Sequence, residues 1–394
     1  MDGLPSCARA CLGQIIPSTS CAINDLKCIC LDTQLITQLG ACSLQNCTIK
    51  EGLTASKLLY TACDYPVTVD DEVYPPILTA GITLSALAFI IRIAGRLMGG
   101  NVGLDDIVAF LALLHMIADT AVGFLLKKAG LGTDIWLLPF PNITQILHLF
   151  FITEVLYVLC IALCKVSMLL LYLRLFPGET VQIATKAAVA VMTAWGIAML
   201  LANVLSCQPL SYFWHVWDVE HIGTCINHQH LLWAHASTNI FFDLVIIVLP
   251  MPTLLRLNMN WSKKIWICLM FAVGIVVTVI SIIRLVSSIN LNMNENPTKS
   301  LVPIGIWSLL EVYLSIICAC MPGMRSCVHK IYRKLYPKPP SYNYPSLSND
   351  GRVGGSGDRA TVGQQIVVFN NKTKTREQDE FILLHERSMD GFPI

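Results

Sequence analysis

Seven apolar stretches, each long enough to cross a bilayer as a helix, constrain this chain more than any other feature of its sequence. They lie at 76–98, 105–127, 146–173, 185–206, 232–254, 266–290 and 303–322. Crossing roughly 30 Å of hydrocarbon takes about 20 helical residues. Lipid offers no partner to open backbone N–H and C=O groups, so interiors rich in Leu, Ile, Val and Ala must be helical there. Composition points the same way: 54% of the 394 residues are hydrophobic and 13% are charged, which argues against a wholly water-solvated fold. A net charge of +1, with no Lys/Arg-rich run, gives no footprint for nucleic acid.

Orientation follows from the basic residues that flank the spans, because Lys and Arg favour the cytoplasmic side. With the N-terminus outside, the inner flanks carry Arg92, Arg96, Arg174, Lys186, Arg256, Lys263, Lys264, Arg325, Lys330, Arg333, Lys334 and Lys338. The outer flanks hold little beyond Lys127, Lys128 and Lys299, with Asp64, Asp70, Asp71 and Glu72 before the first span. This predicts a plasma-membrane protein with an extracellular N-terminus and a cytosolic C-terminus. It places the N-x-Thr sequons of Asn46 and Asn142 outside, where glycosylation occurs, and Asn260 and Asn371 inside. After the last span, CVHKIYRKLYP reads as a basic amphipathic turn lying along the inner surface. The Pro, Ser and Gly content beyond it is that of a disordered tail.

The first 63 residues hold half of the sixteen cysteines, at 7, 11, 21, 28, 30, 42, 47 and 63. That density, in a segment too small to bury a sufficient core, is the mark of disulfides formed in an oxidising compartment. Eight cysteines allow 105 pairings, and spacing alone does not choose among them. The chain opens MDGLPSCARAC, without the apolar stretch of a cleavable leader. Export of the N-terminus then falls to the first span or to a leader outside this sequence. The fold class of the membrane body is therefore all-α: a small N-terminal disulfide-rich domain (1–65) and a linker (66–75) precede a seven-transmembrane helix bundle (76–325), and a basic turn with a disordered C-terminal tail (326–394) follows it.

The start Pro5-x-Cys7, the cysteine gaps of 3, 9, 6, 1, 11, 4 and 15 residues, and Asp25 three residues before Cys28 together resemble the CFEM domain of fungal extracellular membrane proteins. The resemblance implies a helical basket with bridges Cys7 to Cys47, Cys11 to Cys42, Cys21 to Cys28 and Cys30 to Cys63. It also implies haem binding in some members, with Asp25 as an axial ligand. A carboxylate is a hard donor suited to ferric iron. Read from the residues alone, Asp25 is equally a helix N-cap for LKCICLDTQLITQL.

Within the spans, ionisable groups at membrane depth mark functional or structural polar contacts. They are Asp119, Glu154, Lys165, Asp243, Arg284 and Glu311, with Asp105 and Asp106 at the inner end of the second span. Interhelical salt bridges and a ligand or switch role are both open for them. Arg96, Asp105, Asp106 and Arg174 form a candidate conformational latch, and Asp243, Arg284 and Glu311 are further switch candidates. Cys207 and Cys225 flank an outer loop that a disulfide would pin. Cys160, Cys164, Cys268, Cys318 and Cys320 read as small apolar residues within spans, and Cys327 is a candidate palmitoylation site. His215, His221, His228, His230 and His235 cluster around that loop as candidates for pH sensing or a transition metal, or as plain polar surface.

Across residues 80 to 325 an ordered set of pieces resembles the fungal rhodopsin-like integral membrane family, described as receptor-like. The pieces are Arg96 with GLDD at 103–106, KVSMLLLYLRLF at 165–176, CQP and YFW within 207–214, GTCIN at 223–227, N-x-x-x-D and LPMP within 239–252, Lys263-Lys264, SIIR at 281–284, and W-S-x-x-E with CMP within 307–322. Retinal is not expected, because its Schiff base requires a lysine in the last span and 303–322 has none. The leading reading is a receptor that meets an extracellular ligand or surface cue and engages a heterotrimeric G protein α subunit, with membrane lipid around it. The alternative is haem or iron capture by the N-terminal domain. An enzyme is not expected, since neither H-E-x-x-H nor G-x-S-x-G is present.

Overall fold

The computed structural model describes residues 3–22, 25–67, 73–99, 102–256, 261–289 and 296–335. The tail beyond Leu335, the sequons of Asn260 and Asn371, and acidic residues 70–72 lie outside the described residues.

The N-terminal domain is four helices: α1 (Ser6–Ile15), α2 (Leu26–Leu31), α3 (Thr33–Asn46) and α4 (Ile49–Ala62). Each of the last three starts at a side-chain cap. Asp25 accepts from the Cys28 N–H, and Asp32 from Gln34 and Leu35 at 3.1 and 3.0 Å. Thr48 and Glu51 form a reciprocal capping box. The Thr48 backbone N–H, helped by its hydroxyl, holds the Glu51 carboxyl below its usual range. The eight cysteines close bridges Cys7–Cys47, Cys11–Cys42, Cys21–Cys28 and Cys30–Cys63, the pairing that the CFEM resemblance implies. The buried apolar centre is small, built on Ala8, Leu12, Ile29, Leu35 and Leu39 with Cys11 and Cys21. The bridges therefore supply what burial does not, typically about 2–4 kcal/mol each by restricting the unfolded chain.

Seven longer helices follow: α5 (Tyr74–Gly99), α6 (Leu104–Ala129), α7 (Phe140–Leu175), α8 (Glu179–Val204), α9 (His228–Val248) with a short α10 (Met251–Arg256), α11 (Trp261–Ile289) and α12 (Pro297–Leu335). Seven helical segments are long and apolar enough to cross a membrane, and the chain is a multi-pass membrane protein. Leu84, Leu87 and Ile90 lie on one face of α5 and are more than half exposed, an outer surface suited to lipid. Core packing gathers α5, α6, α7 and α12 around Leu78, Met116, Ile146, Ile161 and Val312. α5 and α12 approach through glycines. A Cβ on Gly81 would fall inside the Tyr313 ring, and one on Gly95 would lie 2.6 Å from the Gly323 carbonyl.

α12 departs from the sequence reading. The segment taken for a separate basic turn continues the helix to Leu335, because no proline or glycine lies between Gly323 and Pro337. Cys327 is buried, its Cβ 3.1 Å from where a Gly95 Cβ would be. It packs against α5 and is not presented for palmitoylation.

Between α8 and α9, strands β1 (Cys207–Gln208) and β2 (Thr224–Cys225) pair antiparallel, and the Cys207–Cys225 disulfide closes them. This loop meets the N-terminal domain. Lys50 of α4 reaches Glu220 at 2.6 Å and lies 6.0 Å from the Trp217 ring. Tyr60 packs on Trp136 of the α6–α7 connection at 5.1 Å, and Leu53 packs against the bundle core. Within the loop, burial alone would raise Asp218, but hydrogen bonds from His221 and the Glu220 N–H outweigh it and hold this carboxyl below its usual range.

Candidate functional site

Two buried charge clusters divide the bundle. The first lies at the end remote from the N-terminal domain, where α5 ends and α6 begins. Asp105 and Asp106 open α6, and the Gly103 N–H donates to Asp106 Oδ2 at 3.0 Å, placing both carboxylates at a helix N-terminus. Arg92 bridges them, its Nη2 2.8 Å from Asp105 and its Nε 2.8 Å from Asp106. Arg96 reaches Asp105 at 2.8 Å, and Arg174 from the end of α7 approaches it at 3.6 Å. Arg92 also donates to the Ala319 carbonyl of α12, three residues before Pro322 inside that helix. Ser167 of α7 donates to the Asp105 carbonyl at 2.8 Å.

The four latch candidates thus come together, on side chains from α5, α6 and α7. The residue at their centre is Arg92, which is fully buried and which the sequence reading counted only as a flank charge. Its signal was the four-residue spacing to Arg96, which puts both guanidinia on one helix face.

The second cluster joins α7, α9, α11 and α12 at mid-depth. Lys165 donates to Asp243 at 2.7 Å and to the Asn239 carbonyl at 2.9 Å. Ser281 donates to Asp243 at 3.2 Å or to Glu311 at 2.8 Å. Asn239 donates to Glu311. The Tyr157 hydroxyl donates to Glu311 at 2.9 Å and accepts from Arg284 at 2.7 Å, and Arg284 stands 3.8 Å from Glu311. The Arg284 guanidinium lies over the Tyr157 ring at 4.3 Å. His235, stacked on Trp195 at 5.2 Å, closes the group. Asp243, Arg284 and Glu311 are brought together as one network. Tyr157, Asn239 and Ser281 were missed because they carry no charge. Helical spacing held the clue, with Asn239 four residues before Asp243 and Ser281 three before Arg284.

The loop histidines separate. His215 stacks on His221 at 4.3 Å, His228 Nε2 lies 3.2 Å from Glu154, and His235 belongs to the bundle core. Among the described residues no three His, Cys, Asp or Glu side chains gather to hold a metal ion. Asn46 and Asn142 already donate their side-chain amides, to the Cys42 and Ala129 carbonyls, each at 3.0 Å.

Asp25 is exposed, its Oδ1 accepting from the Cys28 N–H at 3.2 Å as the cap of α2. At the other end of that helix Leu31 is 83% exposed. Asp25 thus presents a solvent-facing carboxylate, the hard donor type suited to ferric iron, and the cap fixes its direction.

A stapled outer-type domain seated on seven membrane helices with a charged core defines a class of multi-pass membrane protein. The comparisons place it: residues 91–330 match the fungal rhodopsin domain model, and the chain belongs to that family. Residues 1–64 match the CFEM domain. The chain is 28% identical over 193 residues to satratoxin biosynthesis SC1 cluster protein 4 of Stachybotrys chartarum, covering 49% of this chain and 66% of that protein. It is 24% identical over 233 residues to receptor GIN3 of Arthrobotrys oligospora, covering 59% and 55%. Its N-terminal region is 36% identical over 62 residues to the GPI-anchored hemophore RBT5 of Candida albicans, covering 16% and 26%. The chain spans between about half and two thirds of the length of the first two relatives. No solved structure matches it.

Removing one member of a buried ion pair leaves the other charge unanswered, which typically costs about 3–5 kcal/mol. Lys165→Met should lower the unfolding free energy of the protein in lipid nanodiscs by that order, and its midpoint with it. Lys186→Met, at an exposed α8 position, should stay within about 0.5 kcal/mol of the parent. Equal midpoints for the two variants would remove Lys165 from the load of the bundle.

Proposed function

We propose that the protein is a plasma-membrane receptor. Its CFEM domain and outer loops meet an extracellular ligand or surface cue, and its opposite end engages a cytosolic partner. The observation that carries this reading is the ion cluster of Arg92, Arg96, Asp105, Asp106 and Arg174. Two carboxylates are answered there by three guanidinia drawn from two helices, and excess donors of this kind allow partners to be exchanged. A ligand shifts such an equilibrium only through different affinity for the two arrangements. The contact of Lys50 with Glu220 and of Tyr60 with Trp136 supports the CFEM domain as part of the sensor, because it is seated on the bundle and not held away from it. The orientation rests on the basic flanks and the disulfides. The relative named as a receptor supports the class, and a heterotrimeric G protein as the partner rests on analogy. An enzymatic role has no support from the families matched.

Asp106→Asn weakens the latch without needing a known ligand. Reconstituted with fungal Gα, it should raise basal nucleotide exchange severalfold over wild type at equal protein density. Unchanged exchange on every Gα subunit, with the protein correctly inserted, would sink G-protein coupling through this latch.

The second reading is capture of ferric haem by the CFEM domain, supported by the exposed Asp25 and the similarity to a hemophore. Asp25 would hold the iron and Leu31 would offer apolar contact, while bound haem itself supplies a chromophore and an iron centre. The purified full-length chain should then shift the Soret band of added ferric haem, and Asp25→Ala should lose that shift while keeping its fold. A shift that persists in the variant rules out Asp25 as the ligand.

A further inference from the structure

Charged groups at depth in this bundle are matched almost throughout. Lys165 answers Asp243, Arg284 stands by Glu311, and His228 stands by Glu154 at 3.2 Å. Asp119 is the exception. It sits mid-way along α6 with 3% of its surface exposed, makes no ion pair among the described residues, and its Oδ1 has no hydrogen-bond partner. An unanswered carboxylate in hydrocarbon surroundings is strongly disfavoured. Its charge must be neutralised, by a proton or by a bound cation.

The surroundings say what kind. Asp119 lines a cavity of about 50 Å³ in the half of the bundle nearer the N-terminal domain, together with Tyr74, Thr153, Tyr157, Arg284, Ser308 and Glu154, the last of which stands by His228. That is room for a few water molecules or one small ion with part of its shell. Two tyrosines, a threonine and a serine border the same space, and hydroxyl oxygen is the donor type that hard cations take; Tyr157 is already engaged by Glu311 and Arg284, and Thr153 by the Phe150 carbonyl, which leaves Tyr74 and Ser308. The space is built in. Gly123, one turn beyond Asp119, and Gly305 of α12 flank the Tyr74 ring, whose hydroxyl lies 3.3 and 3.8 Å from where their Cβ atoms would be. Arg284 makes no ion pair with Asp119 among the described residues: it donates to Tyr157 and stands by Glu311, while its Nε has no hydrogen-bond partner.

We propose that this cavity is a binding site for a small monovalent cation, held by Asp119 with hydroxyl oxygens completing its shell. One residual negative charge selects a single positive one. An alkali ion and the ammonium head of a small amine share this chemistry, and the experiment separates them. The site stands independently of any signalling role.

The test is thermal unfolding of the full-length protein in lipid nanodiscs, titrated with sodium chloride or methylammonium chloride, with choline chloride keeping ionic strength constant. Wild type should show a saturable rise in Tm with at least one small cation and none with choline. A rise with sodium assigns an alkali ion; a rise with methylammonium alone assigns an amine. Asp119→Asn should be flat in all three salts and start above wild type in choline, because its lone buried charge is gone. Should that variant fail to fold, Ser308→Ala provides the second reading, with half-saturation moved to higher salt. A wild-type Tm identical across the salts, or an equal rise in Asp119→Asn, would overturn the site and leave Asp119 protonated or merely hydrated.

Discussion

Two aspartates buried at the start of a membrane helix persist only because arginines meet them, and the rest of this bundle is arranged around that meeting. Asp105 and Asp106 are 3% and 2% exposed, and Arg92 between them is fully enclosed. Desolvating such groups costs several kcal/mol per ion and is offset only by close geometry and full hydrogen bonding. Both are supplied here. The guanidinium of Arg92 spends its donors on two carboxylates and a backbone carbonyl of α12. Gly95 and Gly323 let α5 and α12 come close enough for that carbonyl to be reached; a Cβ on Gly323 would lie 2.6 Å from Arg92 Cγ. The cluster therefore fixes the pairing of α5, α6, α7 and α12 at one end, and the Lys165 to Glu311 network ties α7, α9, α11 and α12 further in.

The existence of seven spans was legible because each is a long apolar run, and the structure sets their cores where hydropathy did. Their ends were less so. α7 begins at Phe140, not 146, because Pro139 and Pro141 suit a helix start and the turn they open still carries apolar residues. α12 runs on past its span because charge does not stop a helix, and it accommodates Pro303 and Pro322 in its interior. The charged members of both clusters could be named from sequence, since ions at membrane depth stand out, but their partners could not. Pairing depends on helix rotation, which periodicity in a segment apolar on nearly all sides does not record. Arg92 illustrates the loss. As a flank charge it spoke for topology, and only the packing of α5 against α12 turned it inward.

The N-terminal domain reads differently at the two levels. Its cysteine spacing carried the fold, and Asp25 carried two meanings that turn out to be compatible, since a carboxylate capping a six-residue helix on the surface is also reachable from outside. What spacing could not carry was its seat on the bundle. That seat uses one ion pair, a ring contact and one leucine, from residues with no motif of their own. The loop pinned by Cys207 and Cys225, which Lys50 of the CFEM domain touches through Glu220, also reaches α7 through Phe213 packed on Phe151 at 5.1 Å. α7 carries Tyr157 and Lys165 in the inner network and Arg174 in the latch.

The central claim is that Arg92 and Asp106 act as one unit. A double-mutant cycle on Arg92→Met and Asp106→Asn, read as unfolding free energy in lipid nanodiscs, tests it most directly. The account predicts strong coupling: each single variant is severely destabilised, and the double variant loses less than the sum by at least about 1 kcal/mol. Additive losses, with a coupling within about 0.3–0.5 kcal/mol of zero, would contradict it.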